Sequence, residues 1–381
     1  VQRGDSNVYF PSVVSAIDIP SIVPKGSAKA DATIRDREDF EHYKTMWDTF
    51  KSQGVDPTEA LQPHIKKYSE KLEVPVEHLE MLLSDDQSEG ETQPRRPLSD
   101  QIREMKVEEF AALAQPDTIE SGQFSGKRYQ PEEQDFGESM CGLLESVSLI
   151  SRLREVRALR GFHRVRPGGD EQLVEASLSS ATDWLPACEV FGEGIFIVFN
   201  LAAIDQWEAA LPATEQIRLQ ALEQRINEQG LSFLPNVSPR VIAIHGLSHL
   251  LMRQLCFESG YASSSLRERM YVDEGMAGVL IYTADGDSEG TMGGLVRQGQ
   301  PDRLPAVLAR SLTAAAWCSG DPLCSEGENQ GMAGLNRAAC HACLLVSETS
   351  CESANALLDR RFLVGDSQGM QGLFSTALAE Y

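Results

Sequence analysis

The chain has 381 residues, 41% of them hydrophobic, enough for a buried core and for two or three domains. Its formal net charge of -23 and pI of about 4.7 rule out phosphate binding over most of the surface, so any nucleic acid has to be held by a local basic patch or by a partner. No apolar run reaches the roughly 18 residues of a membrane span, so no membrane partner is expected.

The first residues, Val1-Gln-Arg-Gly-Asp, carry neither a signal peptide nor an initiator Met, which fits a fragment or a chain renumbered over its ordered parts. Residues 8–20 are β-branched and aromatic and read as a strand. Phe40, Tyr43, Met46, Trp47 and Phe50 fall at helical spacing, so residues 37–83 are predicted helical. The acidic, proline-containing stretch 84–97 reads as a linker, and Ser99 and Asp100 offer capping oxygens for a helix reaching Ala114. Residues 140–166 carry an apolar segment and then Arg152, Arg154, Arg157, Arg160, Arg164 and Arg166. Ile195-Phe-Ile-Val-Phe199 is a short apolar run bounded by glycine, as in a buried strand. Helices follow near 201–211 and 214–229, then one capped by Ser238, with Pro239 in its first turn and a stop at Gly260. Strands at 267–272 and 279–283, an Asp- and Gly-rich loop over 284–292, and helices near 303–317 and 353–363 complete the chain. The fold class expected is mixed α/β (α+β): a helical N-terminal half, and a C-terminal α/β domain closed by a cysteine module. Three regions are expected, at 1–130, 131–237 and 238–381.

Cysteines carry the sharpest chemical signal. Cys318, Cys324, Cys340, Cys343 and Cys351 crowd one segment with Gly320, Pro322 and Gly327 between them, whereas Cys141, Cys188 and Cys256 are scattered. Cys340-x-x-Cys343 can hold one zinc from a single turn, and two flanking thiolates close a tetrahedron. Either Cys318 or Cys324 can be the first ligand, and His341 can stand in for a thiolate. A closed four-thiolate site builds structure and leaves no open position for catalysis. This cysteine usage also fits a reducing, cytoplasmic setting better than a secreted disulfide framework.

Other groups are weaker candidates. His245, His249 and Cys256 fall within about 40° of one another on one helix face. Gly246 stands where the zinc-protease pattern requires a glutamate, so core packing is the plainer reading; a metal-dependent hydrolase using His245 and His249 is the alternative function. Arg154, Arg157 and Arg160 are the candidate contacts to nucleic acid or a partner, against a reading as internal salt bridges. Gly122-Gln-Phe-Ser-Gly-Lys-Arg128 is one residue short of a phosphate loop and lacks its Ser or Thr, so no nucleotide hydrolysis is expected.

Several segments carry a family resemblance. Tyr261, Leu266-Arg-Glu-Arg-Met-Tyr271, Ile281-Tyr-Thr, Gly293-Gly-Leu, Trp317-Cys-Ser-Gly-Asp-Pro-Leu-Cys324 and Ala339-Cys-His-Ala-Cys-Leu-Leu345 resemble the MrfA-like zinc-binding domain. Arg3-Gly-Asp-Ser-Asn-Val-Tyr-Phe-Pro11, Leu153-Arg-Glu-Val-Arg-Ala-Leu-Arg-Gly-Phe162, Trp184-Leu-Pro-Ala187 and Gly192-Glu-Gly-Ile-Phe196 extend the likeness to the DrmB family of the DISARM antiphage defence system. The resemblance implies an MrfA-like domain over 238–381 and zinc on Cys324, Cys340, Cys343 and Cys351, with Cys318 competing for the first place. It also implies a non-catalytic subunit that partners DrmA, an SF2-type helicase, and meets DNA mainly through that complex.

Overall fold

The computed structural model describes residues 9–19, 34, 37–72, 76–84, 98–118, 123–164, 173–176, 184–283 and 293–380. These fall into two compact units, Ser21–Gln101 and Val1–Pro20 with Ile102–Tyr381. Residues 85–97 of the expected linker, the Asp- and Gly-rich loop at 284–292, and Arg166 lie outside the described residues.

The smaller unit is helical, as its periodicity predicts. It holds α1 (Glu38–Ser52), α2 (Pro57–Leu72) and α3 (Val76–Ser84). Phe40, Trp47, Leu61, Ile65, Tyr68, Leu79 and Leu83 form its core. Tyr43 stacks on Tyr68 with ring centroids 4.5 Å apart. The Tyr68 hydroxyl donates to Asp39 at 2.9 Å, so the ring buries its area without leaving its polar end unpaired.

The larger unit is built on a seven-stranded antiparallel sheet. Its strands are β1 (Tyr9–Ile17), β2 (Ser125–Tyr129), β3 (Leu144–Arg164), β4 (Val174–Glu175), β5 (Ala187–Phe199), β6 (Leu266–Asp273) and β7 (Met276–Thr283). The main order is β1-β3-β5-β7-β6, with β2 and β4 also paired to β3. Strand alternation separates two cores. Ile195, Ile197, Phe199, Val279 and Ile281 enter the larger core, while Phe196, Val198, Leu280 and Tyr282 enter a smaller one. That smaller core is covered by Phe110 and Leu113 of α4 (Leu98–Ala114). Gly192 is required where β5 passes β7, because a Cβ there would lie 1.7 Å from the Thr283 carbonyl oxygen.

Helices cover the larger core: α5 (Leu201–Ala209), α6 (Ala213–Gln229), α7 (Pro239–Ser259) and α8 (Leu304–Ala315). The middle of α7 is the most enclosed, with every residue from Val241 to Met252 buried. Its ends follow the sequence signals. The Ser238 Oγ accepts from the Val241 N–H at 3.3 Å, and Gly260 takes the left-handed C-cap at φ 76°.

One expected helix is corrected. Residues 353–363 do not form a continuous helix; only Arg361–Val364 makes a helical turn. Ala354, Asn355 and Leu357 adopt positive φ, and the Ser353 and Asn355 N–H groups donate to the Cys351 sulfur rather than up a helix.

Candidate metal centre

The thiols of Cys318, Cys324, Cys340 and Cys343 converge, all four sulfurs lying within 4.8 Å of one another. Three pieces of chain deliver them. Cys318 follows α8 directly, Cys324 sits in the short helix Leu323–Glu326, and Cys340 and Cys343 share a tight turn closed by the Cys343 N–H donating to the Cys340 carbonyl at 3.1 Å. Asp321 braces the first piece: it accepts from the Cys318 N–H at 2.9 Å and from the Arg360 guanidinium, whose other arm donates to the Ala315 carbonyl at 3.0 Å.

The sulfur separations fit a metal. Cys318 lies 3.5 Å from Cys340, Cys340 3.7 Å from Cys343, and Cys324 3.8 Å from Cys343. A tetrahedron of Zn–S bonds of about 2.3 Å has edges of about 3.75 Å. Backbone N–H groups point at the sulfurs, Gly320 to Cys318 at 3.3 Å and Cys340 to Cys343 at 3.2 Å, which stabilises thiolate.

Electrostatics shows why the cluster needs a cation. Burial and the neighbouring Cys343 push the Cys324 thiol up. Burial also lifts Cys343, to about 11. At Cys340 burial acts the same way, but hydrogen bonds from the Ala342 backbone, the Cys318 thiol and the Cys343 backbone outweigh it and bring the thiol down to about 7. Four thiolates this close repel one another, and a divalent ion removes the conflict. The residues present therefore fit zinc, which would supply folding free energy here.

Four of the five expected cysteines meet at this centre, so Cys318 and Cys324 both belong to it. Cys351 does not: its sulfur lies 3.2 Å from His245 Nε2, in a second cluster with His249 and Glu268. The four-ligand set Cys324, Cys340, Cys343 and Cys351 is corrected accordingly, because Cys351 follows a separate turn that packs on α7. His341 is exposed and stands outside both clusters. Cys256 is half-buried and also lies outside them.

The arginine segment lies along β3. Arg154 pairs with Asp18 at 2.7 Å and Glu189 at 2.6 Å, and Arg157 pairs with buried Glu155 at 2.7 Å. Arg160 is not free either. The β3–β5 register runs unbroken from Arg154 to Arg157, so these two side chains leave opposite faces of the strand. They do not form one basic patch.

Sequence reasoning missed several buried carboxylates, two of them beside the elements that carry the site. Glu268 enters the histidine cluster; its signal is an acid between Leu266 and Met270, which face the larger core. Glu193 accepts N–H groups from Gly293 at 2.7 Å and Leu295 at 2.8 Å, capping the turn Gly294–Gln298.

Comparison with known proteins agrees with this geometry. Residues 247–344 match the MrfA Zn-binding domain, and all four clustered cysteines fall inside the match. The chain is similar to the DISARM protein DrmB of Bacillus paralicheniformis, with 33% identity over 96% of its own length. It spans 64% of that relative.

Proposed function

We propose that this chain is the non-catalytic, zinc-binding subunit of a DISARM-type antiphage defence complex, beside a DrmA-like SF2 helicase that engages invading DNA. The likeness to DrmB over nearly the whole chain carries the reading. Three properties of the molecule support it. The tetrathiol centre is closed and holds chain segments together rather than presenting an open coordination position. The net charge of -23 suits a protein that meets DNA through a partner. Trp317 and Leu323, next to two zinc ligands, are 70% and 84% exposed, as apolar anchors of a protein contact would be. The role implies a reducing, cytoplasmic setting, in keeping with eight free cysteines. Among the described residues no helix is long and apolar enough to cross a membrane.

The rival, a hydrolase on His245 and His249, is disfavoured by burial. Both imidazoles are fully buried, whereas a hydrolase must present its catalytic groups to substrate. The test is purification of the tagged chain from its native operon. A helicase subunit should co-elute in stable stoichiometry at physiological salt. Recovery of the chain without any helicase would overturn the assignment.

A further inference from the structure

We propose that His245, His249, Glu268 and Cys351 form a second, closed metal site, taking a zinc ion independently of the tetrathiol centre. The inference rests on geometry alone and stands apart from the defence role. The four donor atoms lie within 4.8 Å of one another. His245 Nε2 is 3.2 Å from the Cys351 sulfur and 3.2 Å from Glu268 Oε1, and His249 Nε2 is 3.6 Å from the same Oε1. Tetrahedral zinc with ordinary Zn–N, Zn–O and Zn–S bonds sets its donors about 3.3–3.6 Å apart.

The surroundings are those of ligands. His249 Nδ1 donates to the Leu344 carbonyl at 2.9 Å, which fixes the tautomer and leaves a lone pair on Nε2. That Nε2 is buried, has no hydrogen-bond partner, and faces a carboxylate oxygen. A lone pair against a carboxylate is repulsive until a cation lies between them. The Cys351 sulfur accepts N–H groups from Ser353 at 3.3 Å and Asn355 at 3.2 Å, and backbone N–H groups likewise point at Cys318 and Cys343. Glu268 is held by the Ser248 hydroxyl and by the Glu352 N–H at 3.2 Å. One thiolate and one carboxylate balance a divalent ion, so the buried centre carries no net charge. Mixed imidazole, thiolate and carboxylate donors in a tetrahedral arrangement suit zinc.

Such an ion would tie α7, β6 and the turn after residue 350 at one point. Leu344, whose carbonyl orients His249, directly follows Cys343 of the first centre, so the two sites would staple one C-terminal segment twice.

Metal content of the full chain, purified without chelators and equilibrated with limiting zinc, decides the matter. Native mass spectrometry and elemental analysis should give two zinc ions per chain. Cys351→Ser should lose one and keep the other, and so should Glu268→Gln, a milder change that preserves volume. Cys343→Ser should lose the complementary ion. In the cobalt-loaded protein, Cys351→Ser should remove only the weaker thiolate-to-metal absorption and leave the tetrathiol band. A native chain that binds one ion, all of it lost in Cys343→Ser, would overturn the proposal whether or not the Cys351 variant folds.

Discussion

Cys343 lies within 4 Å of both Cys324 and Cys340 and accepts the Cys340 N–H, so it sits at the middle of the tetrathiol centre. Cys343→Ser should abolish zinc binding at that centre and destabilise the C-terminal region. Structural zinc sites hold their ion by roughly 10–16 kcal/mol, and that free energy is folding free energy. Exposed Cys188 provides the control: Cys188→Ser should leave zinc content and melting temperature within error of the parent. A Cys343→Ser protein that keeps its zinc and its melting temperature would defeat the assignment. Burial of charge is solved by pairing elsewhere in the same unit. Glu109, on α4, accepts from Arg269 at 2.7 and 2.9 Å, from the Tyr271 hydroxyl at 2.8 Å and from the Ile17 N–H at 2.9 Å. One carboxylate thereby ties α4, β1 and β6, and every donor aimed at it is charged or buried.

At the level of elements, β3 shows how one strand serves two environments. Its first half, from Leu144 to Leu153, is mostly buried, and its second half carries the arginines on partly solvated faces. Replacing Arg154, Arg157 and Arg160 together with Ala should lower the melting temperature of the isolated chain. The largest share comes from Arg157, whose loss leaves buried Glu155 without its ion pair, at a cost of about 3 kcal/mol. The folded fraction should still assemble normally; a stable triple variant that fails to assemble would restore the contact reading. The same strand marks the limit of what the sequence discloses. Helix α7 was legible because Ser238, Pro239 and Gly260 act locally, and β5 because five apolar residues run on from Gly194. The bend of the chain after Cys351 was not, because its N–H groups turn to a sulfur that long-range packing puts in place. For the same reason Cys340 and Cys343 declared themselves by spacing, whereas the choice among Cys318, Cys324 and Cys351 depended on which turns meet in space.

The whole molecule sets charge against any direct role at DNA. With a net charge of -23, the chain repels a duplex over most of its surface, and Arg154 and Arg157 of β3, which could offset this, are held by carboxylates. In the phosphate-loop-like stretch, Ser125–Tyr129 is strand β2, hydrogen-bonded to β3, and the stretch lacks the Ser or Thr of a nucleotide site. The isolated chain should therefore show no ATPase activity and should bind duplex DNA no more tightly than about 10⁻⁶ M at physiological salt, within the range of non-specific electrostatic binding or weaker. If the proposed DrmA-like helicase is the partner, its addition should bring tight binding, with a steep salt dependence contributed by its phosphate contacts. Fluorescence anisotropy on a labelled duplex, with and without the helicase and across a salt series, measures both terms. Nanomolar binding by this chain alone would mean that a local basic surface outweighs the global charge, and the scaffold reading would have to give way to a direct DNA-binding one.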